Sequence, residues 1–383
     1  MEEYKYSKQI VETTLEEYID TIIKTHNRNT ESDDKKLNIM ENSKSNYVNN
    51  NFREMIKYAL SGGKRIRPII ALEMTKLFSK NHNINPNNST SKEVIIFLEN
   101  LHSASLILDD LPCMDNDDYR RGQLTFHKKY GLNTTYLVAN FMIGKSLKNI
   151  VNFISKNKET SNNIRSLFTK EIFNNNFLTS LGQIKDLDSN DDRESKFLDK
   201  IENRLLKNQY FNSFLTKVNS INNLTQKNIK SLIWLNMKTF PLFYLSFLLP
   251  YLLNNTTNDS NNTTNDSNNT TNDSNNTTND SNKINQDTVN KIEYLSLCFS
   301  IMFQICDDLD DIEKDYSIKK INSHLKILDK SSIINVYRIC EKDFKETLGN
   351  VCKAFSSIPN VIEYFVEILN KKIEIYVNGR DKK

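Results

Sequence analysis

Val289-Asn-Lys-Ile292-Glu-Tyr-Leu295-Ser-Leu-Cys-Phe299-Ser-Ile-Met302-Phe303-Gln304-Ile-Cys-Asp307-Asp308-Leu-Asp310-Asp311 decides the fold class of this chain. Ile292, Leu295, Phe299, Met302 and Phe303 recur at three and four spacing, the period of a helix with a buried stripe. The stretch then ends in acid. Gln304, Asp307, Asp308 and Asp311 fall at i, i+3, i+4 and i+7, on one face of that helix. Like charges so placed repel, and buried carboxylates without counter-ions are costly, so a cation is their natural partner.

The same period continues outward. Phe52, Met55, Ile56, Ala59 and Leu60 repeat it, and Val94 to Asp110 is a strong helical pattern stopped by Pro112. Alternating strand patterns are nearly absent, and Gly (8) and Pro (6) are scarce among 383 residues, which suits long helices. The expected class is all-α. Ser231 to Leu253 is the one membrane candidate, but Asn236, Lys238, Pro241 and Pro250 interrupt it, leaving it short of the roughly 20 apolar residues a span needs. It reads as a buried helix pair with a kink near Lys238, because Pro241 cannot continue the hydrogen-bond ladder.

Residues 1–50 open with an amphipathic helix (Ile10, Val11, Leu15, Tyr18, Ile19, Ile22, Ile23) and pass into a polar run, Asn27 to Asn51, too poor in apolar residues to fold alone. Residues 51–383 form the expected helical domain. It carries an insert at 254–281 in which Asn-Asn-Thr-Thr-Asn-Asp-Ser occurs four times. No position of that heptad is apolar, so it offers no coiled-coil seam. Lys80 to Lys92 and Asp186 to Ser195 read as loops. The five cysteines form no C-x-x-C pair and fit a reducing compartment. Net charge +3 with scattered lysines gives no nucleic-acid arm. The first residues have neither a signal peptide's apolar core nor a convincing transit peptide, so the expected location is the cytoplasm or a plastid-like organelle.

A second carboxylate cluster, Asp109-Asp110-Leu-Pro-Cys-Met-Asp115, lies nearly two hundred residues before the first. His102 precedes Asp109 by almost two turns on one stripe. Asp117, Asp118, Arg120 and Arg121 follow, and acid beside paired guanidinium suits a metal and a diphosphate. An acidic surface loop neutralised by its own arginines is the competing reading. Ser61-Gly62-Gly63-Lys64-Arg65-Ile66-Arg67-Pro68 adds a glycine turn with cations, and Lys238-Thr239 adds a lysine within apolar sequence. Carboxylate oxygens are hard ligands suited to Mg²⁺. Two such clusters would hold a diphosphate ester through bridging metals for ionisation.

Taken in order, these elements resemble the trans-polyprenyl diphosphate synthases. The match runs through Gly62 to Pro68, His102, Asp109 to Asp118, Arg120-Arg121-Gly122, Thr125-Phe-His127, Tyr130-Gly131, Gly182-Gln183, Asp186-Leu187, Lys238-Thr239 and Phe303 to Asp311. It is most like geranylgeranyl diphosphate synthases in leaving four residues between Asp110 and Asp115. Lys238 and Gln304 stand 66 positions apart, or 38 without the 28-residue repeat, close to the family's spacing.

The resemblance implies one bundle of about ten or more helices around a deep apolar cavity, usually a homodimer, with three Mg²⁺ per active site. Asp109, Asp110, Asp115, Asp307, Asp308 and Asp311 are the implied metal ligands. Arg120, Lys238, Thr239 and Gln304 are implied for the allylic diphosphate, and Lys64, Arg67, His102 and Arg121 for isopentenyl diphosphate. Lys238, Gln304, Asp109 and Asp307 carry the implied catalysis, and Ala104 and Ser105 the floor of the chain-length pocket. Both are small, which points to a C20 product, with a longer chain or a non-catalytic subunit of a heteromeric synthase as alternatives. Phe141, Met142 and Phe240 are other candidate floors. Departures include Leu108, Val138-Ala139-Asn140, Phe240-Pro241 and a blurred Ser317-Ile-Lys319-Lys320 turn.

Overall fold

The computed structural model describes residues 1–28, 51–79, 89–157, 160–187, 207–221, 236–254, 284–314, 328–355 and 359–378, with isolated positions between 224 and 233. The side chains of 23–28, 185–187 and 311–314 lie outside that description. So do residues 255–283, which hold nearly all of the repeat, the polar run after residue 28, most of both expected loops, and the Ser317–Lys320 turn.

The helices are α1 (Glu2–Arg28), α2 (51–59), α3 (Ile66–Phe78), α4 (Ser89–Asp109), α5 (Phe126–Tyr130), α6 (Leu132–Lys156), α7 (Asn162–Leu187), α8 (Gln209–Asn219), α9 (Phe240–Asn254), α10 (Gln286–Lys314), α11 (Lys330–Phe355) and α12 (Asn360–Asn378). Among the described residues the only strands are β1 (Tyr119–Arg120) and β2 (Gln123–Leu124), an antiparallel hairpin with Tyr119 opposite Leu124. The chain is all-α, as its periodicity requires. No described helix is long and apolar enough to cross a membrane.

The backbone divides into two compact units, residues 1–76, 81–153 and 360–362, and residues 77–80, 154–359 and 363–383. In the first, α1 lies on α4 and buries the stripe read from sequence: Ile10, Val11, Leu15, Tyr18, Ile19 and Ile22. Tyr18, Ile19 and Ile22 share a cluster with Ile56, Ala59 and Leu60 beside α2, Ile96, Ala104 and Ile107 of α4, and Phe126, Val138, Ala139 and Met142. Burying each large member is worth about 1.5–3 kcal/mol against leaving it exposed, which binds α1 firmly to this unit. Ala104 and Ile107 of this cluster stand in the last turns of the helix that ends at Asp109.

In the second unit, α10 packs against α9 and α11, and α9 against α7. Every residue from Phe240 to Leu253 is buried, as is the run Ile292–Met302. A helix apolar on all sides is one enclosed by protein, so α9 is a central rod. Phe243 meets Phe299 edge-on at 5.0 Å, and Phe299 lies 5.7 Å from Phe344. The buried hydroxyls of Ser246 and Ser296 donate to carbonyls one turn back, Leu242 and Ile292, at 2.7 Å, so they add no unsatisfied polar atom.

Candidate active site

In the first unit a glycine turn joins α2 to α3. Gly62 (φ 69°), Gly63 (φ 100°) and, unusually for a side-chain-bearing residue, Arg65 (φ 54°) all take left-handed backbone. The hairpin uses Arg121 (φ 54°) and Gly122 (φ 76°) as its two central residues. Positive φ at both is what a tight type I′ hairpin turn demands. Arg121 Nη1 donates to the carbonyls of Ser61 and Gly62, both at 3.0 Å. Its guanidinium covers Gly63 so closely that a Cβ there would lie 2.8 Å from Arg121 Cζ. Gly63 thus serves both its φ and this overlay, and Gly62 its φ alone.

Arg67 Nη1 lies 3.4 Å from His102 Nε2. Burial, and then the positive charges of Arg67, Arg121, Arg120 and Arg65, hold His102 well below the ordinary histidine range. It is a neutral imidazole in a cationic field. Burial and the neighbouring arginines Arg65 and Arg120 likewise draw Arg121 below the usual guanidinium value, against Glu99 and Asp110. Lys64 is exposed at the same turn. The four residues expected to hold isopentenyl diphosphate are therefore gathered around one turn of one unit.

Asp109 ends α4, and the chain loops back so that the Asp115 amide donates to the Asp109 carbonyl at 2.8 Å. Asn116 (φ 56°) closes the loop with a bond to Leu111 O. The first and last acids of the cluster are so brought to one place. Asp110 is buried, and its Oδ1 accepts from Arg120 Nε at 2.5 Å. Burial raises its pKa and Arg120 opposes the rise. Asp117 and Asp118 are exposed and paired with Arg120 (3.7 Å) and Lys128 (2.7 Å). The self-neutralised surface loop describes these two acids; Asp110 is a buried partner that aims Arg120.

In the second unit the chain breaks between helices at residues 237–239, where Thr239 N donates to Asn236 O at 3.0 Å. The kink expected near Lys238 is thus a full turn. Thr239 Oγ1 donates to Gln304 Oε1 at 2.8 Å, and Gln304 Nε2 donates to Asp308 Oδ1 at 2.9 Å. This chain fixes the amide orientation of Gln304 between α9 and α10. Asp308 is buried and Asp307 exposed, while Asp310 turns away to pair with Lys372 of α12. Asp311 shares the helix, but its side chain lies outside the described residues.

Sequence reasoning gave Gly182 only by likeness. A Cβ on Gly182 of α7 would lie 2.3 Å from Lys238 N and 2.4 Å from Met237 C, so α7 seats the Lys238 turn directly on its backbone. Arg65, to which the sequence assigns no role of its own, is 4% exposed and joined to Glu12 and Glu99. Of the chain-length candidates, Ala104 is wholly enclosed with Met142 in the apolar cluster. Ser105 is half-buried, its hydroxyl on His102 O at 2.8 Å. Phe141 is 36% exposed and packs edge-on to Phe52, and Phe240 stacks on Tyr244 at 5.6 Å.

An all-helical chain with acid-ended helices, a guanidinium-covered glycine turn and a lysine turn has the character of an isoprenoid synthase fold. Comparison with known proteins bears this out. Residues 49–209 match the polyprenyl synthetase family, a stretch that holds the Gly62–Pro68, His102 and Asp109–Gly122 motifs and ends before Lys238 and Asp307. The chain is 39% identical over 100 residues to the chloroplastic geranylgeranyl pyrophosphate synthase of Capsicum annuum and 45% identical over 100 residues to a farnesyl diphosphate synthase of Micrococcus luteus. Each stretch is 26% of this chain. The matches span 26% and 32% of those relatives, so the chain matches about a quarter to a third of their length.

Among solved structures, a geranyltranstransferase from Thermotoga maritima aligns with a TM-score of 0.58, covering 96% of this chain and 99% of that one at 19% identity. A geranyltransferase from Helicobacter pylori gives 0.58 at 18% identity, covering 95% and 98%. At such identity the likeness is one of fold.

Proposed function

We propose that this chain is an Mg²⁺-dependent prenyltransferase that condenses isopentenyl diphosphate with allylic diphosphates, with geranylgeranyl (C20) diphosphate as product. The observation that carries the reading is the gathering of Lys64, Arg67, Arg121 and neutral His102 around one glycine turn, next to the Asp109–Asp115 loop. Clustered cations with guanidinium forks match the charge and the oxygens of a diphosphate. Similarity to named geranylgeranyl and farnesyl diphosphate synthases supports the substrate class.

In this reading Lys64, Arg67, His102 and Arg121 bind isopentenyl diphosphate without metal. Arg120, Lys238, Thr239 and Gln304 bind the allylic diphosphate. Arg120 meets Asp110 through Nε, and a guanidinium has further N–H donors for phosphate oxygens. The donor set of Asp109, Asp110, Asp115, Asp307, Asp308 and Asp311 consists of hard carboxylate oxygens, which fit Mg²⁺. Mg²⁺ held there, three ions per site, would supply positive charge to the departing diphosphate. The allylic C–O bond breaks with its electron pair on that diphosphate, the isopentenyl double bond attacks the allylic carbon, and a proton passes to the released pyrophosphate. Enclosure of both substrates by apolar side chains would exclude the water that otherwise captures the cation. Half-buried Ser105 supports growth to C20, whereas Ala104 is enclosed in the apolar cluster.

A homodimer is also proposed. Leu132, Tyr136, Leu137 and Phe141 leave a stripe along α6 that is 36–71% exposed, apolar surface suited to a second copy. Sedimentation of purified protein as a monomer at micromolar concentration would count against it.

The test is incubation of purified protein with Mg²⁺, isopentenyl diphosphate and each of the C5, C10 and C15 allylic diphosphates, with products dephosphorylated and sized. A C20 alcohol is expected. No product from any starter would overturn the reading. Asp307→Asn or Lys238→Ala should lower turnover at least tenfold while the protein stays folded, and wild-type turnover in either would remove that residue from the machinery.

A further inference from the structure

The N-terminal helix reaches the glycine turn through a residue that the proposed chemistry does not use. Arg65 lies between Lys64 and Arg67 yet is buried where Lys64 is exposed. Its Nε and Nη2 take both oxygens of Glu12 on α1 at 2.9 and 3.1 Å. Nη1 takes Glu99 Oε2 on α4 at 2.6 Å, and Nη2 the Leu60 carbonyl at 2.5 Å. The planar guanidinium fork suits this two-pronged grip on a carboxylate, and a lysine could not reproduce it.

Each attachment bears on the cations of the turn. Glu99 lies one helical turn before His102, so the bond that anchors Arg65 also sets the turn against the imidazole next to Arg67. Leu60 O is held by Arg65, and the next two carbonyls, Ser61 and Gly62, by Arg121. Arg65 keeps a left-handed backbone that disfavours any residue with a Cβ, and Tyr4 of α1 donates to Lys64 O at 3.1 Å. A turn so strained keeps its shape only where its surroundings over-determine it.

We propose that Arg65 is a positioning residue for the Lys64–Arg67–His102 set, and that Glu12 of α1 holds it in register, making the N-terminal helix part of diphosphate recognition. The inference rests on the reading of that set as the isopentenyl-diphosphate site. The Glu12 side chain is 39% exposed, so Glu12→Gln removes the charge of one arm without leaving a buried void.

In steady state, Glu12→Gln should raise KM for isopentenyl diphosphate at least fivefold. KM for the allylic diphosphate and kcat should stay within twofold, and the melting temperature within a few degrees. A purely structural ion pair would lower the melting temperature or change both KM values together, and either that or an unchanged KM for isopentenyl diphosphate overturns the proposal. Calorimetric titration with inorganic pyrophosphate in EDTA separates this inference from the proposed activity. Wild type should bind and Glu12→Gln should bind at least fivefold more weakly, whether or not a product forms. Equal binding by the two proteins, or none by wild type, overturns it. Arg65→Lys gives the companion measurement and should show the same selective rise in KM.

Discussion

Gly182→Ala separates the two things a helical glycine can mean. On propensity alone, alanine in place of glycine within a helix stabilises by up to about 1 kcal/mol. At Gly182 the added Cβ would meet Lys238 N at 2.3 Å, Met237 C at 2.4 Å and Lys238 Cα at 2.7 Å, where ordinary contact begins at 3.4 Å. All three are backbone atoms, so no side chain can rotate away. The turn at 237–239 or helix α7 must therefore move by about 1 Å. Overpacking of this kind costs about 1–3 kcal/mol, which exceeds the gain in propensity. A 1 Å misplacement of a binding group can cost on the order of 100-fold in rate.

The expected result is a lower melting temperature by circular dichroism and turnover reduced at least tenfold. Gly349 is the internal control. It lies in helix α11 of the same unit, and a Cβ there would meet nothing within 4 Å. Gly349→Ala should raise the melting temperature and leave turnover unchanged. If Gly182→Ala instead behaves like Gly349→Ala, the α7 backbone does not seat Lys238 and the geometric argument fails.

Ser105→Phe should shorten the product by a five-carbon unit or more, because its half-buried side chain leaves room for a ring. Ala104→Phe, wholly enclosed, should instead destabilise by about 1–3 kcal/mol; product sizing and melting curves check both, and unchanged products from Ser105→Phe remove this floor. His102 gives a pH prediction. Below about pH 6.5 an unfolded chain takes a proton at this residue that the folded chain refuses, so stability falls on acidification, by up to about 1.4 kcal/mol per pH unit until the depressed folded pKa is reached. Denaturant titrations from pH 7 to pH 5 should show a shallower fall for His102→Gln than for wild type, and equal slopes would show that His102 is not held neutral.

The periodicity of Ile292 to Phe303 and the acids that follow were enough to read an all-helical chain and a cation-binding face. The same period could not orient that face. Asp307 is exposed and Asp308 buried although both lie on one stripe, because burial depends on what packs against α10, which a single helix does not encode. Arg65 shows the limit more sharply. In a turn there is no period to assign sides, so Lys64, Arg65 and Arg67 look alike in sequence, and only the carboxylates of Glu12 and Glu99, 53 and 34 residues away, distinguish the anchor from the others. Gly182 was legible as a motif but not as a contact, since its reason is a backbone segment far along the chain.

The cations of the first unit are balanced unevenly, and that unevenness fits a diphosphate site. Arg65 has two carboxylates, and Arg120 has Asp110 and Asp117. Arg121 is fixed by two carbonyls, which orient it without cancelling its charge. Arg67 is set beside an imidazole that burial, and then the arginines around it, keep neutral. Arg65 is held by carboxylates on two helices, and the arginines around His102 together place a positive field on its imidazole. In the proposed reading an arriving diphosphate would oppose the arginines' part of the depression at His102 and leave the larger part that burial causes.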